Sequence, residues 1–244
     1  MARRRRRRSE EKKCAYCDRS TFDWTWDEPV PQCLFDKPRD NLISVPACLE
    51  CNSTHKSKDD TFLRDMLALN GTIAEHPDGR AVIEAFNRAE LKGKSANIVR
   101  KYGKWSYDPK THLYLPTVEI EKERVTRIFK WIIRGLYFHD HEKPLAENYR
   151  YGCARTSRED AEKREAAIAD LGFHPKWFVG SRGQFRYFHV WFEDPNVTFW
   201  QLIFYDREFF IASTAPPGIY SLEDFENDLE RKRQMRELLD PDPA

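Results

Sequence analysis

No stretch of about 18 consecutive apolar residues occurs in the 244-residue chain, which excludes a membrane-crossing helix. A glycine-rich phosphate loop, a dinucleotide-binding fingerprint and a G-x-S-x-G elbow are also missing. A metal-free oxidoreductase or transferase therefore has no residues to support it. No internal repeat stands out. No secretory signal is expected, because Arg3 to Arg8 are followed by Ser9-Glu10-Glu11-Lys12-Lys13 and not by an apolar run. A surplus of charge is lacking too, with a formal net charge of +1. That value conceals an asymmetry. The first 13 residues carry eight basic and two acidic side chains, a surplus of six, so the rest of the chain is net −5.

What is present is a core-forming composition, 40% apolar and 14% aromatic. The length suits one large domain or two small ones. Six cysteines occur, and four of them fall in two tight pairs, Cys14-Ala15-Tyr16-Cys17 and Cys48-Leu49-Glu50-Cys51, with 30 residues between. Each C-x-x-C pair can point two thiolates at one ion, and two pairs complete the sulfur tetrahedron that Zn²⁺ prefers. Four thiolates leave no open coordination position, so the expected zinc is structural. A pair of disulfides is the competing reading. Cys33 and Cys153 stand alone and are expected to be free thiols. Unpaired thiols together with zinc fit a reducing cytoplasm.

The segments around the cysteine pairs carry a resemblance. Between the pairs run Trp26-Asp27-Glu28-Pro29-Val30-Pro31-Gln32 and Asn41-Leu42-Ile43-Ser44-Val45-Pro46-Ala47. After the second pair come Asn52, His55, Lys56 and Lys58. Residues 14 to about 70 resemble the zinc-containing branch of the HNH, or ββα-metal, endonucleases. More loosely, Arg134 to His139 and Trp200 to Tyr205 resemble the C-terminal part of bacterial proteins carrying this module. The resemblance implies Asp27 as ligand of a catalytic Mg²⁺ or Mn²⁺ and Glu28 in the position of the general base. It implies Asn41 as the residue fixing the loop, and Asn52 or His55 as the helix-borne metal ligand. The family has His where Glu28 stands. A carboxylate with an ordinary pKa near 4 is a weak base at neutral pH, so reduced or lost activity is the simplest consequence. Asp27-Glu28 also reads as a charged turn before Pro29, and His55 as a solvated helix residue.

The expected fold class is α+β: a small zinc-bound ββα module, HNH-like or treble-clef-like, followed by a helical and antiparallel-sheet domain. Residues 1–13 form a basic arm, disordered when free, 14–70 the zinc module, and 77–244 an α+β domain of unknown role. Arg3, Arg4, Arg5, Arg6, Arg7 and Arg8, extended by Lys56 and Lys58, are expected to attract nucleic-acid phosphates. A solubility tail or an import signal reads the same arm differently.

Within the module, Asp59-Asp60 and Gly71 bracket an expected helix with Phe62, Leu63, Met66, Leu67 and Leu69 on its apolar side. Helices are also expected over 77–91, over 119–138 with Val125, Ile128, Phe129, Ile132, Ile133 and Leu136 at three- and four-residue spacing, over 156–171 with a Ser157-x-x-Asp160 capping signature, and over 221–239, and 94–116 reads as an irregular connection. Strand character is expected at 177–179, 184–192, 198–205 and 208–212. His139-Asp140-His141-Glu142, four potential ligands in sequence, reads as an exposed loop. Two functions follow: a metal-dependent nuclease of the HNH kind, or a zinc-stabilised nucleic-acid or protein-binding module whose active site has decayed. Nucleic acid is the expected partner, a protein partner stands beside it, and no membrane is implied.

Overall fold

The computed structural model describes residues 10–69, 72–93, 103–108, 113–118 and 121–217, and of 54–58, 72, 105–106, 108 and 113–118 the backbone alone. Arg3 to Arg8, Gly71 and the helix expected over 221–239 lie outside the described residues. The chain is α+β and divides into two compact units, Met1–Leu145 and Ala146–Ala244. This division lies within the stretch expected as one domain from residue 77.

The first unit opens with β1 (Lys12–Lys13) and β2 (Ser20–Thr21), a short antiparallel pair. Next come β3 (Trp24–Asp27) and β4 (Val45–Cys48), paired antiparallel from Trp24 opposite Cys48 to Asp27 opposite Val45. Helix α1 (Leu49–Leu69) follows β4 without a break. It is one continuous helix of 21 residues, so the expected start at Asp59-Asp60 is corrected. Those two aspartates sit mid-helix, where Asp59 accepts from Arg124 Nε at 3.0 Å and from Arg127 Nε at 3.2 Å. Opposite charge from another helix removes the reason for the chain to break there. Phe62, Leu63 and Leu67 are buried on the apolar side.

Helix α2 (Arg80–Leu91) buries Val82 and Phe86 and ends before Gly93, whose φ of +61° suits a glycine. Where 94–116 was expected to be irregular, the described residues form an antiparallel pair, β5 (Gly103–Asp108) against β6 (Leu113–Val118). Helix α3 (Lys122–His141) buries Ile128, Phe129, Ile132, Ile133 and Leu136, the expected stripe at helical spacing. Its end is corrected too. His139, Asp140 and His141 form its last turn, and Glu142 caps it in the left-handed region.

The second unit is a five-stranded antiparallel sheet in the order β7-β11-β10-β9-β8. The strands are β7 (Arg150–Thr156), β8 (Phe178–Gly180), β9 (Phe185–Trp191), β10 (Thr198–Phe204) and β11 (Glu208–Ala215). Strand β7, at one edge, was not expected. Helix α4 (Arg158–Asp170) begins at Ser157, whose Oγ accepts from the Asp160 backbone N–H at 3.0 Å. It sets Ala161 and Ile168 among Phe188, Val190, Phe199, Ile203, Phe209 and Ile211, which alternation along β9, β10 and β11 brings to one face. Each of the buried Val, Ile and Phe side chains stabilises by about 1.5–3 kcal/mol. Among the described residues no helix is long and apolar enough to cross a membrane.

Candidate metal centre and adjoining cleft

The first cysteine pair occupies the turn between β1 and β2. The backbone N–H of Cys14 donates to Arg19 O at 2.9 Å and that of Asp18 to Cys14 O at 3.1 Å, so the turn closes on itself. The Ala15 N–H donates to Pro46 O at 2.9 Å and fastens this turn to β4, two residues before Cys48. The second pair spans the junction of β4 and α1. Both pairs show sulfur accepting from backbone amide: Tyr16 N–H to Cys14 Sγ at 3.4 Å, and Cys51 N–H to Cys48 Sγ at 3.5 Å. The second of these also satisfies one of the orphan amides of the α1 N-terminus.

The four sulfurs lie within 4.8 Å of one another. Cys17 Sγ and Cys48 Sγ are 3.8 Å apart, and all six cysteines are free thiols, so the disulfide reading falls. Zn–S bonds of about 2.3 Å in a tetrahedron give sulfur separations of about 3.8 Å. The geometry and the all-thiol donor set therefore suit a structural metal such as zinc. Cys14 and Cys48 are buried, and Cys17 and Cys51 half-buried. Burial pushes the Cys17 and Cys51 thiols up, and the charge of Cys14 adds to both. Cys48, against the same desolvation, is held below its ordinary value by the Cys51 backbone N–H and the neighbouring sulfurs. Four thiolates cannot share so small a space without a cation, so metal binding must displace protons. An exposed ion pair, Arg19 to Glu50 at 2.9 Å, links β2's approach to the first turn of α1. Its exposure makes it a minor contribution.

Beside the sulfur cluster lies a cleft. Its walls are Tyr16, Asp27, Glu28, Pro29, Pro31 and Cys51, the α1 pair Asp59 and Asp60, and Ile128, Trp131 and Ile132 of α3. Asp27 ends β3 with only 3% of its surface exposed. The Tyr16 hydroxyl donates to its Oδ2 at 2.5 Å. Tyr16 sits inside the first cysteine pair, so one side chain joins the metal centre to the cleft. Its hydroxyl titrates well above the usual range, first through burial and then through the charges of Cys14, Cys51, Asp60 and Glu28. It therefore stays a donor. The Tyr16 ring meets Trp131 edge-on at 4.8 Å. Gly135 of α3 is packed so closely that a Cβ there would lie 2.3 Å from Pro29 Cγ and 3.1 Å from the Tyr16 hydroxyl.

Of the residues singled out in sequence, the structure brings together the four cysteines, and it sets Asp27 and Glu28 in the cleft. Asn41 is exposed, with φ of +49°, and Asn52 is half-buried; neither lines the cleft. The side chains of His55, Lys56 and Lys58 lie outside the described residues. Among the described residues, the cysteines are the one group of three or more His, Cys, Asp or Glu gathered closely enough for a single ion. His139-Asp140-His141-Glu142 is not such a group. The His141 ring packs at a tilt against Tyr137, centroids 4.3 Å apart, and burial, then Lys143, lowers its pKa. Sequence reasoning missed Tyr16 as more than a spacer, and Trp131 as a wall. The signal available for Tyr16 was an aromatic with a polar handle inside a metal knuckle. Compared with protein-family models, with curated proteins and with solved structures, the chain matches none.

Proposed function

We propose that residues 14 to 70 are a zinc-stabilised module of the HNH endonuclease kind, which hydrolyses phosphodiester bonds in nucleic acid. The observation supporting this reading is the β3–β4 hairpin running directly into α1, with four thiols at its base and Asp27 and Glu28 in a cleft that α1 also lines. The cleft's hard oxygen donors are of the type that Mg²⁺ or Mn²⁺ takes. Such an ion, bound there, would polarise the scissile phosphate and stabilise the leaving oxygen.

The roles of the chain's own residues follow. Asp27 is the metal ligand, and the Tyr16 hydroxyl fixes its carboxylate. Glu28 stands where the base accepts the proton of the attacking water. Asn41 holds the loop, and His55 is the helix-borne ligand that the resemblance leaves, since Asn52 does not line the cleft. Arg3 to Arg8, with Lys56 and Lys58, attract the phosphate backbone. The reducing cytoplasm is the setting that suits the thiols.

A second reading has specific support. Asp27 is nearly sealed from solvent and already holds a hydrogen bond, and the described carboxylates do not gather around one point. With Glu at position 28, this suits a zinc-stabilised binding module, for nucleic acid or protein, with a decayed active site. A cleavage assay on supercoiled plasmid, single-stranded DNA and RNA with Mg²⁺ or Mn²⁺ separates the two. Cleavage by the native protein that disappears in Asp27→Ala supports the nuclease. Cleavage only in Glu28→His supports decay on an intact scaffold. Silence from the native protein and both variants refutes the nuclease.

A further inference from the structure

Cys17 lies half-buried in the turn between β1 and β2, and its Sγ touches that of buried Cys48, on the opposite knuckle, at 3.8 Å. The exposed guanidinium of Arg19 is near enough to feel the charges of Glu50, Cys17 and Cys48. A sulfur that solvent reaches, a second sulfur in contact behind it and a cation beside both are the surroundings of an oxidation-sensitive thiol pair. Cys33 is engaged differently, donating to the Asp60 carbonyl at 3.6 Å, and Cys153 belongs to the second unit.

The two knuckles are tied together by bonds that need no metal. The Ala15 N–H donates to Pro46 O at 2.9 Å, and Arg19 pairs with Glu50 at 2.9 Å. One tie enters β4 just before Cys48, and the other enters α1 just after it. Cys17 and Cys48 therefore stay within reach of each other while an ion comes and goes. A disulfide sets its sulfurs about 2.0 Å apart, so the 3.8 Å contact must close by about 1.8 Å, a movement that side-chain rotation supplies.

We propose that hydrogen peroxide converts Cys17 and Cys48 to a disulfide and so strips the structural zinc from the module, a reversible switch on the adjoining cleft. The Cys17 thiolate attacks one peroxide oxygen, the O–O bond breaks, and Cys17 becomes a sulfenic acid as hydroxide leaves. The Cys48 thiolate attacks the Cys17 sulfur, the S–O bond breaks, and a second hydroxide leaves. The two thiolates lose two electrons between them, and the peroxide gains both. Cys14 and Cys51 remain as a two-sulfur site, short of the four donors of a structural zinc. Tyr16 rides on the first knuckle and donates to Asp27, and Cys51 lines the cleft, so losing the ion loosens the cleft wall. The proposal rests on the zinc of the preceding reading and adds its regulation.

The test treats the full, zinc-loaded chain with one equivalent of hydrogen peroxide, with no nucleic acid, Mg²⁺ or Mn²⁺ present. Zinc entering solution is read with a chromogenic chelator against the untreated chain, and cysteine pairing by mass spectrometry after alkylation and digestion with chymotrypsin. That protease cuts after Tyr16 and Leu49, which puts the four sulfurs on separate peptides. The zinc should leave in step with the appearance of a Cys17–Cys48 disulfide, and the melting temperature should fall. Dithiothreitol with added zinc should restore both. The double variant Cys33→Ser, Cys153→Ser should release zinc at the native rate. The proposal is overturned by zinc retained after treatment, by a first disulfide within either knuckle or to Cys33, or by oxidation that dithiothreitol fails to reverse. A chain that holds no zinc before treatment overturns the metal-centre assignment along with it, which tells the two failures apart.

Discussion

Gly135 sets two well-known tendencies against each other, and the structure says which wins. It lies inside α3, where a glycine is about 1 kcal/mol less favourable than alanine, so propensity alone predicts that Gly135→Ala stabilises the protein. Packing predicts the reverse. The added Cβ would lie 2.3 Å from Pro29 Cγ, 2.5 Å from Pro29 Cβ and 3.1 Å from the Tyr16 hydroxyl. Carbon atoms in comfortable contact stand about 3.5–4.0 Å apart, so the overlap exceeds about 1 Å. A proline ring cannot rotate out of the way. Tyr16 is held in turn by its bond to Asp27 and its contact with Trp131. Overpacking of this kind typically costs about 1–3 kcal/mol, and here it falls at the upper end because two ring carbons are struck at once. After the propensity gain, a net loss of about 2 kcal/mol remains, and the melting temperature should fall by about 4–8 °C. Calorimetry on the zinc-loaded protein measures this, with zinc content as a control. An unchanged or raised melting temperature would refute the close approach of α3 to Pro29.

Three further predictions concern sites described above. Cys48→Ser should release the metal and unfold the first unit, because it removes both a ligand and the sulfur that accepts from the Cys51 N–H; a variant that kept its zinc and its melting temperature would defeat the metal-centre assignment. Burial pushes the Cys33 thiol up to about 12 from an ordinary 9.0. The folded chain therefore keeps a proton that the unfolded chain loses above about pH 9, so this group's contribution to stability is whole below pH 9 and declines from there towards pH 12. Iodoacetamide at pH 8 should accordingly modify the half-buried Cys33 more slowly in the native protein than in urea; equal rates, read by mass spectrometry, would contradict the raised pKa of this thiol. Ser157→Ala should cost about 1 kcal/mol by stripping the N-cap of α4, whereas Ser157→Asp should restore most of it; equal denaturation midpoints for all three chains would rule the cap out.

What could be read from sequence was local chemistry. The two C-x-x-C pairs announce themselves because each knuckle needs only four residues, and Ser157-x-x-Asp160 because a capping bond spans three. The stripe Ile128, Phe129, Ile132, Ile133, Leu136 is periodic whatever it packs on. The misses share a cause, which is that the deciding partner lies far along the chain. Asp59-Asp60 resembles a helix start until Arg124 and Arg127 arrive from α3. Strand β7, with Gly152 and few β-branched residues, becomes a strand through its ladder with β11. The β5–β6 pair hides behind Gly103, Ser106 and Pro116. In the cleft, Asp27 and Glu28 were legible from the resemblance. The donation from Tyr16 to Asp27 was not, since nothing local brings residues 11 apart in sequence to 2.5 Å.

The order of strands in the second unit bears on when each part of the chain can fold. All four sulfurs come from residues 14 to 51, so an ion can gather them as soon as that short segment exists, and the loop to be closed is small. The five-stranded sheet is arranged the opposite way, with its first strand, β7, lying against its last, β11. Until Ala215 has been made, β7 has no neighbour and β10 stands as an open edge. During synthesis the metal-binding segment is thus free to close early, while the sheet waits for its final strand. We predict that pulse-labelled hydrogen exchange during refolding with zinc will protect the amides of Cys14 and Cys51, bonded to Arg19 O and Cys48 Sγ, before those of β7; simultaneous protection would show that the two units do not fold in this sequence.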